Sequence, residues 1–167
     1  EYLSGNVRKK LELAQKAADR NPEFRRNVAA LEANQPMPLA PSQIHASLGM
    51  PWIPQAEIEK SGMQELGLEK LRVRYTAAPA SWTVSGDTDS VAARSTWGTE
   101  QKRAPAIMAA ALNRQTIKVY DEVFVDGKKA AVLNVAKTEA ANDKLMAMRE
   151  KFSGWIWADQ ERADRLA

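Results

Sequence analysis

Residues 71–85 read LRVRYTAAPASWTVS, and in this stretch the sequence changes from a helical to an extended period. From 71 to 77 apolar and polar residues alternate strictly, which is typical of a strand with one buried face. In residues 81–85, the apolar residues Trp82 and Val84 again alternate with polar residues. We therefore predict two strands here, and the first carries Arg72 and Arg74 on its polar face.

The part of the chain before this stretch is predicted to be helical. Residues 1–35 have the pattern of a helical hairpin, in which Asn21-Pro22 separates two segments with apolar residues at helical spacing. Ser4 is the predicted N-cap of the first helix. The predicted buried face of the second helix consists of Phe24, Val28 and Leu31. Two such helices cannot bury both apolar stripes by themselves, so we expect the hairpin to pack on the rest of the chain or on a partner.

A proline-rich region follows the hairpin, at residues 35–54. It brackets a predicted short helix with Ile44 and Leu48 on its apolar side and Gly49 at its end. A further helix is predicted from Pro54 to Gly67, because proline suits a first helical turn and glycine suits a helix end.

Helical and extended patterns alternate again after the two strands. An alanine-rich helix is predicted up to about Arg114. Residues 116–134 have the pattern of strand, turn and strand, because Asp126-Gly127 is a strong hairpin signal. From Thr138 onward the apolar spacing is helical once more.

These elements together predict an α+β fold: a small, mostly antiparallel sheet flanked by helices, with a helical hairpin at the N-terminus and a long helix at the C-terminus. We expect two parts, residues 1–35 and residues 36–167, that form one structural unit within a longer protein. No apolar run approaches the length of a membrane span, so no membrane partner is expected. The absence of cysteine is typical of a cytoplasmic protein.

The sequence lacks several motifs of enzymatic sites, and no pair of its many carboxylates is singled out for acid–base chemistry. It has no cysteine and a single histidine, His45, so we predict neither a zinc site nor a serine–histidine–acid triad. It also has no glycine-rich phosphate-binding loop. Asp87 and Asp89 share one loop, which we interpret as solvated rather than as a cation site. No catalytic residue, metal or cofactor is therefore predicted.

Basic residues are concentrated in the middle of the chain. Residues 70–118 contain eight basic and three acidic residues, a net charge of +5, whereas the whole chain carries +3. Lysine and arginine attract phosphates irrespective of base sequence, and tryptophan adds base stacking. The predicted nucleic-acid-binding surface consists of Arg72, Arg74, Arg94, Trp97, Lys102, Arg103, Arg114 and Lys118. The alternative is that the arginines only keep one sheet face hydrated and that the tryptophans fill the core.

Two tryptophans near the C-terminus receive different predictions. Helical spacing from Phe152 places Trp155 on the buried stripe and Trp157 on the wetter side. The surrounding residues 137–167 contain as many acids as bases, which disfavours a phosphate groove. Because an exposed tryptophan commonly marks an interface, we interpret Trp157 as a contact to another domain or protein.

Several stretches in order along nearly the whole chain resemble one family of large proteins. They are the hairpin sequence YLSGNVRKKLELAQKAADRNPEFRRNVAALEANQP, WIP (52–54), WGT (97–99), AALN (110–113), NVAKTEAANDK (134–144) and FSGWIWADQER (152–162). They resemble the region between the two enzymatic parts of phage and plasmid proteins that join an adenine-specific DNA methyltransferase to a Swi/Snf-type helicase. The defence-against-restriction proteins are examples. The stretch EKSGMQ (59–64) departs from the apolar run expected at that point.

This resemblance implies an auxiliary role in a larger chain. The Asn-Pro-Pro-Tyr motif of the methyltransferases and the Walker-type and Asp-Glu-x-His motifs of the helicases are absent from this sequence, so no catalytic residue is carried over. The implied partners are DNA and the other domains of the same parent chain. We therefore expect a non-catalytic domain that binds or positions DNA. The alternative is an interdomain scaffold or protein-interaction module without nucleic-acid affinity.

Overall fold

The computed structural model describes residues 3–37 and 39–167. The described chain forms two compact units, one that ends at Ala40 and one that spans Pro41–Ala167. Helices and two antiparallel pairs of strands confirm the predicted α+β class. The helical hairpin at the N-terminus and the long helix near the C-terminus are both present.

The first unit is the predicted helical hairpin. Helix α1 spans Val7–Arg20 and helix α2 spans Arg25–Ala33, and a 3-10 turn at Pro22–Phe24 joins them. Its small core consists of Val7, Ala14 and Leu31, with Leu11 and Val28 packed against it.

Two details of the predicted hairpin are wrong. Asn6 rather than Ser4 caps α1, because its side chain accepts the Lys9 backbone N–H at 3.0 Å. Phe24 is 42% exposed rather than buried. Phe24 is the last residue of the 3-10 turn. Because a 3-10 turn has three residues per turn, the Phe24 side chain does not lie on the buried stripe that includes Leu31 in α2.

The second unit begins with an irregular segment where a short helix is predicted. Only a 3-10 turn at Pro41–Gln43 is helical, so the predicted helix around Ile44 is wrong. Two apolar residues between prolines are too few to offset the cost of starting a helix. Leu48 is nevertheless buried in the core, and Gly49 takes a left-handed φ of +91°.

The remainder of the second unit combines helices with two pairs of strands. The predicted strands, the helix after Pro54 and its end at Gly67 are all confirmed. In chain order the elements are helix α3 (Gln55–Leu66), strands β1 (Arg72–Thr76) and β2 (Ser81–Ser85), a π-helix (Ala92–Thr96), helix α4 (Ala104–Leu112), strands β3 (Tyr120–Val125) and β4 (Lys128–Leu133), and helices α5 (Val135–Ile156) and α6 (Gln160–Leu166).

Strands β1 and β2 form an antiparallel ribbon with one apolar face on the core. Tyr75 lies opposite Trp82, with ring centroids 4.8 Å apart, and Trp82 is buried. The predicted alternation is therefore confirmed, and Arg72 and Arg74 lie on the opposite, exposed face. The core beneath the ribbon is formed by α3, α4 and α5. Its largest fully buried residues include Ile58, Leu71, Ile107, Leu112 and Phe152.

Side chains close both outer edges of this ribbon. On the β1 edge, the Glu59 carboxylate accepts the Val73 backbone N–H at 2.8 Å. On the β2 edge, the Asn113 amide accepts the Trp82 backbone N–H and donates to the Trp82 carbonyl, both at 2.8 Å. These contacts occupy positions where a further strand would bond. The strands form two separate ribbons rather than the single sheet we predict from sequence.

Strands β3 and β4 form the second ribbon, in which most residues are exposed and Asp121, Val123 and Ala130 are half-buried. Asp126 and Gly127 both have positive φ at its turn, as the Asp-Gly signal predicts. Large apolar residues are exposed along it: Tyr120, Phe124, Val125, Val132 and Leu133. An uncovered pair of strands is only marginally stable in water, so contacts at the base of the ribbon must help to hold it.

A polar network centred on Asp121 forms that base. Its carboxylate accepts hydrogen bonds from the Lys137 ammonium at 2.8 Å, the Asn134 amide at 2.6 Å and the Gln101 amide at 3.1 Å. These donors, Lys137 foremost, lower the pKa of Asp121 from 3.8 to about 2. The network therefore ties the first strand of the ribbon to the start of α5.

Asp121→Asn is expected to make the protein less sensitive to acid. Because the folded state lowers the pKa of Asp121 from 3.8 to about 2, its stabilising contribution is complete above the ordinary value and is lost as the pH falls through this window. The free energy of unfolding, measured between about pH 5 and pH 2, should fall less steeply in Asp121→Asn than in the wild type. Glu122→Gln, which removes only an exposed contact to Lys129, is the control. Equal slopes for the wild type and Asp121→Asn would contradict the prediction.

Helix α5 carries the predicted buried stripe through to its end. It starts at Val135, three residues earlier than predicted, because the Asn134 side chain caps it by accepting the Lys137 backbone N–H at 2.9 Å. The buried residues of the stripe are Ala141, Leu145, Met148, Phe152 and Trp155.

Helix α6 folds back on the end of α5 through Arg162. This arginine is only 4% exposed. It donates to the Trp155 and Ile156 carbonyls, and its guanidinium carbon lies 3.5 Å from the centre of the Trp155 ring. One side chain therefore satisfies the last carbonyls of α5 and covers the tryptophan.

Candidate functional site

The exposed face of the β1–β2 ribbon forms the floor of an open groove of about 450 Å³. We call it the arginine groove, and define it by Gln55, Glu59, Arg72, Arg74, Thr83 and Ser85. Arg72 and Arg74 lie two residues apart on β1, so the strand period places both side chains on this face. Thr83 and Ser85 lie opposite them on β2 and add hydroxyl groups. The arrangement offers cations and neutral hydrogen-bonding groups on one accessible surface.

Glu59 is the acidic residue of this groove. Its second carboxylate oxygen lies 3.6 Å from an Arg72 guanidinium nitrogen, and its first accepts the Val73 N–H. The Arg72 side chain stays 73% exposed, so this salt bridge orients the arginine without covering it. Arg74 is exposed and forms no salt bridge within the described residues. The groove thus keeps a free positive charge beside a partly neutralised one.

The other predicted basic residues are dispersed over the second unit. Arg94 is exposed on the π-helix, Lys118 is exposed before β3, and Lys102 and Arg103 are half-buried just before α4. Arg114 lines a different cavity with Tyr75 and Trp82, whose side chains point to the opposite face of the ribbon. The structure therefore brings two of the predicted basic residues, Arg72 and Arg74, into one groove.

Carboxylates neutralise few of these basic residues. Of the seven predicted basic site residues, only Arg72 forms a salt bridge in the part of the chain that the structure describes. The cations of this region thus lack internal carboxylate partners, with that one exception. A surface with unpaired cations is suited to an anionic partner.

Trp97 lies apart from the arginines, in a cleft of about 460 Å³. We call it the aromatic cleft, and define it by Glu65, Trp97, Glu150, Lys151, Gly154 and Trp155. The cleft has two carboxylate groups and one ammonium group, so its lining carries more negative than positive charge. Trp97 therefore does not share a groove with Arg72 and Arg74, which the prediction of base stacking beside them requires.

The two C-terminal tryptophans differ as predicted in their burial. Trp155 is buried, and Trp157 is half-buried against the core. Trp157 also stacks on Trp52, with ring centroids 6.5 Å apart and planes 23° from parallel, and Trp52 is itself 43% exposed. The sequence pattern does not indicate Trp52 as this partner, because the two residues are 105 positions apart. A role for Trp157 at an interface stays a prediction.

The residues that we exclude from chemistry lie in unremarkable surroundings. His45 is exposed in the irregular segment that opens the second unit. One Asp87 oxygen accepts the Asp89 and Ser90 backbone N–H groups at 2.8 and 3.1 Å, and the Ser90 side chain, followed by these backbone bonds, lowers the pKa of Asp87. Its role is thus that of a local turn cap. Among the described residues, no group of three or more potential ligands could hold a metal ion, and no helix has both the length and the apolar character of a bilayer span.

Two residues that position the aromatic cleft were not found by sequence reasoning. The Lys144 ammonium on α5 donates to the Ser95 and Gly98 carbonyls, which flank Trp97. Arg162 covers one face of Trp155. The contacts of Lys144 span more than 45 positions along the chain, which leaves no local pattern to reveal them.

Comparison with known proteins identifies one family. The sequence model of a family described as a domain of unknown function (DUF8437) matches residues 47–167. The match includes both the arginine groove and the aromatic cleft and leaves out the N-terminal hairpin. No curated protein and no solved structure matches the chain significantly.

Proposed function

We propose that this chain, which belongs to the DUF8437 family, is a non-catalytic domain that binds or positions DNA through the arginine groove. The observation that carries the proposal is the exposed pair of Arg72 and Arg74 on one strand face, in a region whose basic residues mostly lack salt bridges. Arginine binds phosphate through several N–H donors at once. Thr83 and Ser85 supply further donors for phosphate oxygens.

The resemblance of the sequence to phage and plasmid methyltransferase–helicase proteins supports the same role. A domain that lies between two DNA-modifying parts would hold the duplex or a displaced strand while they act. Contacts to phosphate position the protein on DNA but do not distinguish one base from another. We therefore expect binding with little sequence preference. A cytoplasmic location and contacts to the other domains of a parent chain belong to the same proposal.

Arg72→Glu/Arg74→Glu is expected to weaken DNA binding by at least about tenfold and to reduce the salt dependence of the affinity by about two counterions. The measurement is titration of labelled duplex and single-stranded oligonucleotides between about 50 and 200 mM salt. Arg8→Glu/Lys16→Glu on α1 has the same charge change outside the groove and serves as the control. Negligible binding by the wild type, or equal loss in both variants, would overturn the proposal.

The second candidate function is a protein-interaction module without nucleic-acid affinity, and the β3–β4 ribbon favours it. Most residues of this ribbon are exposed, and Phe124 at 72% exposure is its most accessible aromatic residue. Exposed apolar groups in this number commonly mark a surface that contacts another protein. The titration described above separates the two candidates, because a wild-type chain that binds no DNA would favour the interaction module.

A further inference from the structure

The aromatic cleft has the features of a binding site that is separate from the arginine groove. Trp97 and Trp155 form its walls, and the exposed Glu65 and Glu150 lie at its rim with Lys151. Neither rim carboxylate forms a salt bridge among the described residues. The cleft therefore combines apolar aromatic surface with an excess of negative charge.

Both aromatic walls are held in place by polar contacts. The Trp155 indole N–H donates to the Gln64 side chain at 3.2 Å, and the Arg162 guanidinium covers one face of its ring. Trp97 ends the π-helix, and the Lys144 ammonium binds the carbonyls on either side of it. A surface whose rings are already fixed loses little conformational freedom when a ligand binds.

The backbone next to Trp97 is equally constrained. A side chain at Gly98 would place its first carbon 1.9 Å from the Ala93 carbonyl oxygen, so only glycine permits this close approach. The close contact between Gly98 and Ala93 lies at the end of the π-helix. Such helices are rare and frequently occur at functional sites. The local geometry thus serves to present Trp97 beside α5.

Gly154 leaves part of the floor of the cleft without a side chain. It lies within the 22-residue helix α5, where glycine is less favourable than alanine. A first side-chain carbon at this position would meet no atom within 4 Å, so packing inside the chain does not require glycine. The missing side chain instead leaves space in the floor of the cleft.

We infer that the aromatic cleft binds a short peptide segment of a partner protein through an arginine or lysine side chain. The rim supplies carboxylates for the cation, and the half-buried Trp97 attracts it through its ring face, whereas Trp155 is buried and already carries Arg162. The floor runs along α5 from Ala147 past Gly154 and continues into the turn at Ala158, and its helical part, residues 147–156, is about 14 Å long at the rise of a helix. About four extended peptide residues have this length. Charge and length both match a basic peptide.

Titration of the isotope-labelled protein with the capped peptide acetyl-Leu-Ala-Arg-Ala-Leu-amide tests the inference. The indole N–H resonances of Trp97 and Trp155 should shift in a saturable manner, whereas the same peptide with glutamate in place of arginine should leave them unchanged. Glu65→Gln/Glu150→Gln should weaken the peptide about tenfold. The control Glu139→Gln/Glu161→Gln, which removes two exposed carboxylates outside the cleft, should bind as the wild type does.

Substitutions at Gly154 provide a test that does not depend on charge. Gly154→Leu should fill the floor and abolish the shifts, while Gly154→Ala should keep the fold and retain most of the binding. The inference is overturned if the peptide shifts neither resonance, or if Glu65→Gln/Glu150→Gln binds as the control does. It is also overturned if arginine amide alone produces the same response, which would indicate a small-molecule site. Shifts caused by a single-stranded oligonucleotide instead would assign Trp97 to nucleic acid.

Discussion

Arg162→Ala is expected to lower the free energy of unfolding by about 3 kcal/mol. The side chain is almost completely buried and donates to two carbonyls at the end of α5. Its removal takes the donor from the Ile156 carbonyl, leaves the Trp155 carbonyl with backbone N–H donors alone, among them that of Ala158, and takes away the cation over Trp155. Denaturant unfolding that is followed by tryptophan fluorescence measures the change.

From the position of Arg162 we expect that a conservative change will not restore stability. An ammonium group is a point charge, whereas the planar guanidinium binds two carbonyls and stacks on the ring at once. Arg162→Lys should therefore recover less than half of the loss. Glu161→Gln, at an exposed neighbouring position on α6, should change stability by less than about 0.5 kcal/mol. If Arg162→Ala were as stable as this control, the buried arginine would contribute nothing to holding α6 on α5.

Gly49→Ala is expected to cost about 3 kcal/mol of unfolding free energy. Gly49 has a φ of +91°, and a first side-chain carbon there would lie 2.1 Å from the Leu112 carbonyl oxygen. Both the backbone conformation and the contact with α4 therefore exclude a side chain. The loss should appear as a lower midpoint of thermal and denaturant unfolding.

Gly67→Ala separates the two causes. Gly67 also has a left-handed φ, +62°, but a first side-chain carbon would meet no atom within 4 Å. Only the backbone cost remains, so the expected loss is about 1 kcal/mol. Equal losses for the two variants would mean that the approach of Gly49 to Leu112 does not matter for stability.

Much of the fold could be predicted from local sequence, and the failures have identifiable physical causes. Strict alternation predicted the β1–β2 ribbon, and Asp126-Gly127 predicted the β3–β4 turn, because both signals act over a few residues. The segment around Ile44 was misassigned as a helix because its burial comes from contacts with distant parts of the core. The division into two ribbons depends on Glu59 and Asn113, which reach strand edges far along the chain.

The candidate site was predicted only where one element carries it. Arg72 and Arg74 share a face because they are two residues apart on a strand, and the sequence shows this directly. The separation of Trp97 from them was not predictable, because it depends on how the loop before α4 packs on α5 through Lys144. Charge counting along the chain grouped residues that the fold distributes over several surfaces.

The protection of strand edges has a consequence for how this protein can assemble. The outer edges of β1 and β2 are occupied by the Glu59 carboxylate and the Asn113 amide. In the described part of the chain, no side chain forms a hydrogen bond with the outward backbone groups of β3 between Asp121 and Val125. The same is true of the outward backbone groups of β4. An extended segment of another molecule therefore meets fewer capped backbone groups along the β3–β4 ribbon than along the β1–β2 ribbon, which favours the β3–β4 ribbon for β-augmentation. The same edges are the more accessible ones for aggregation.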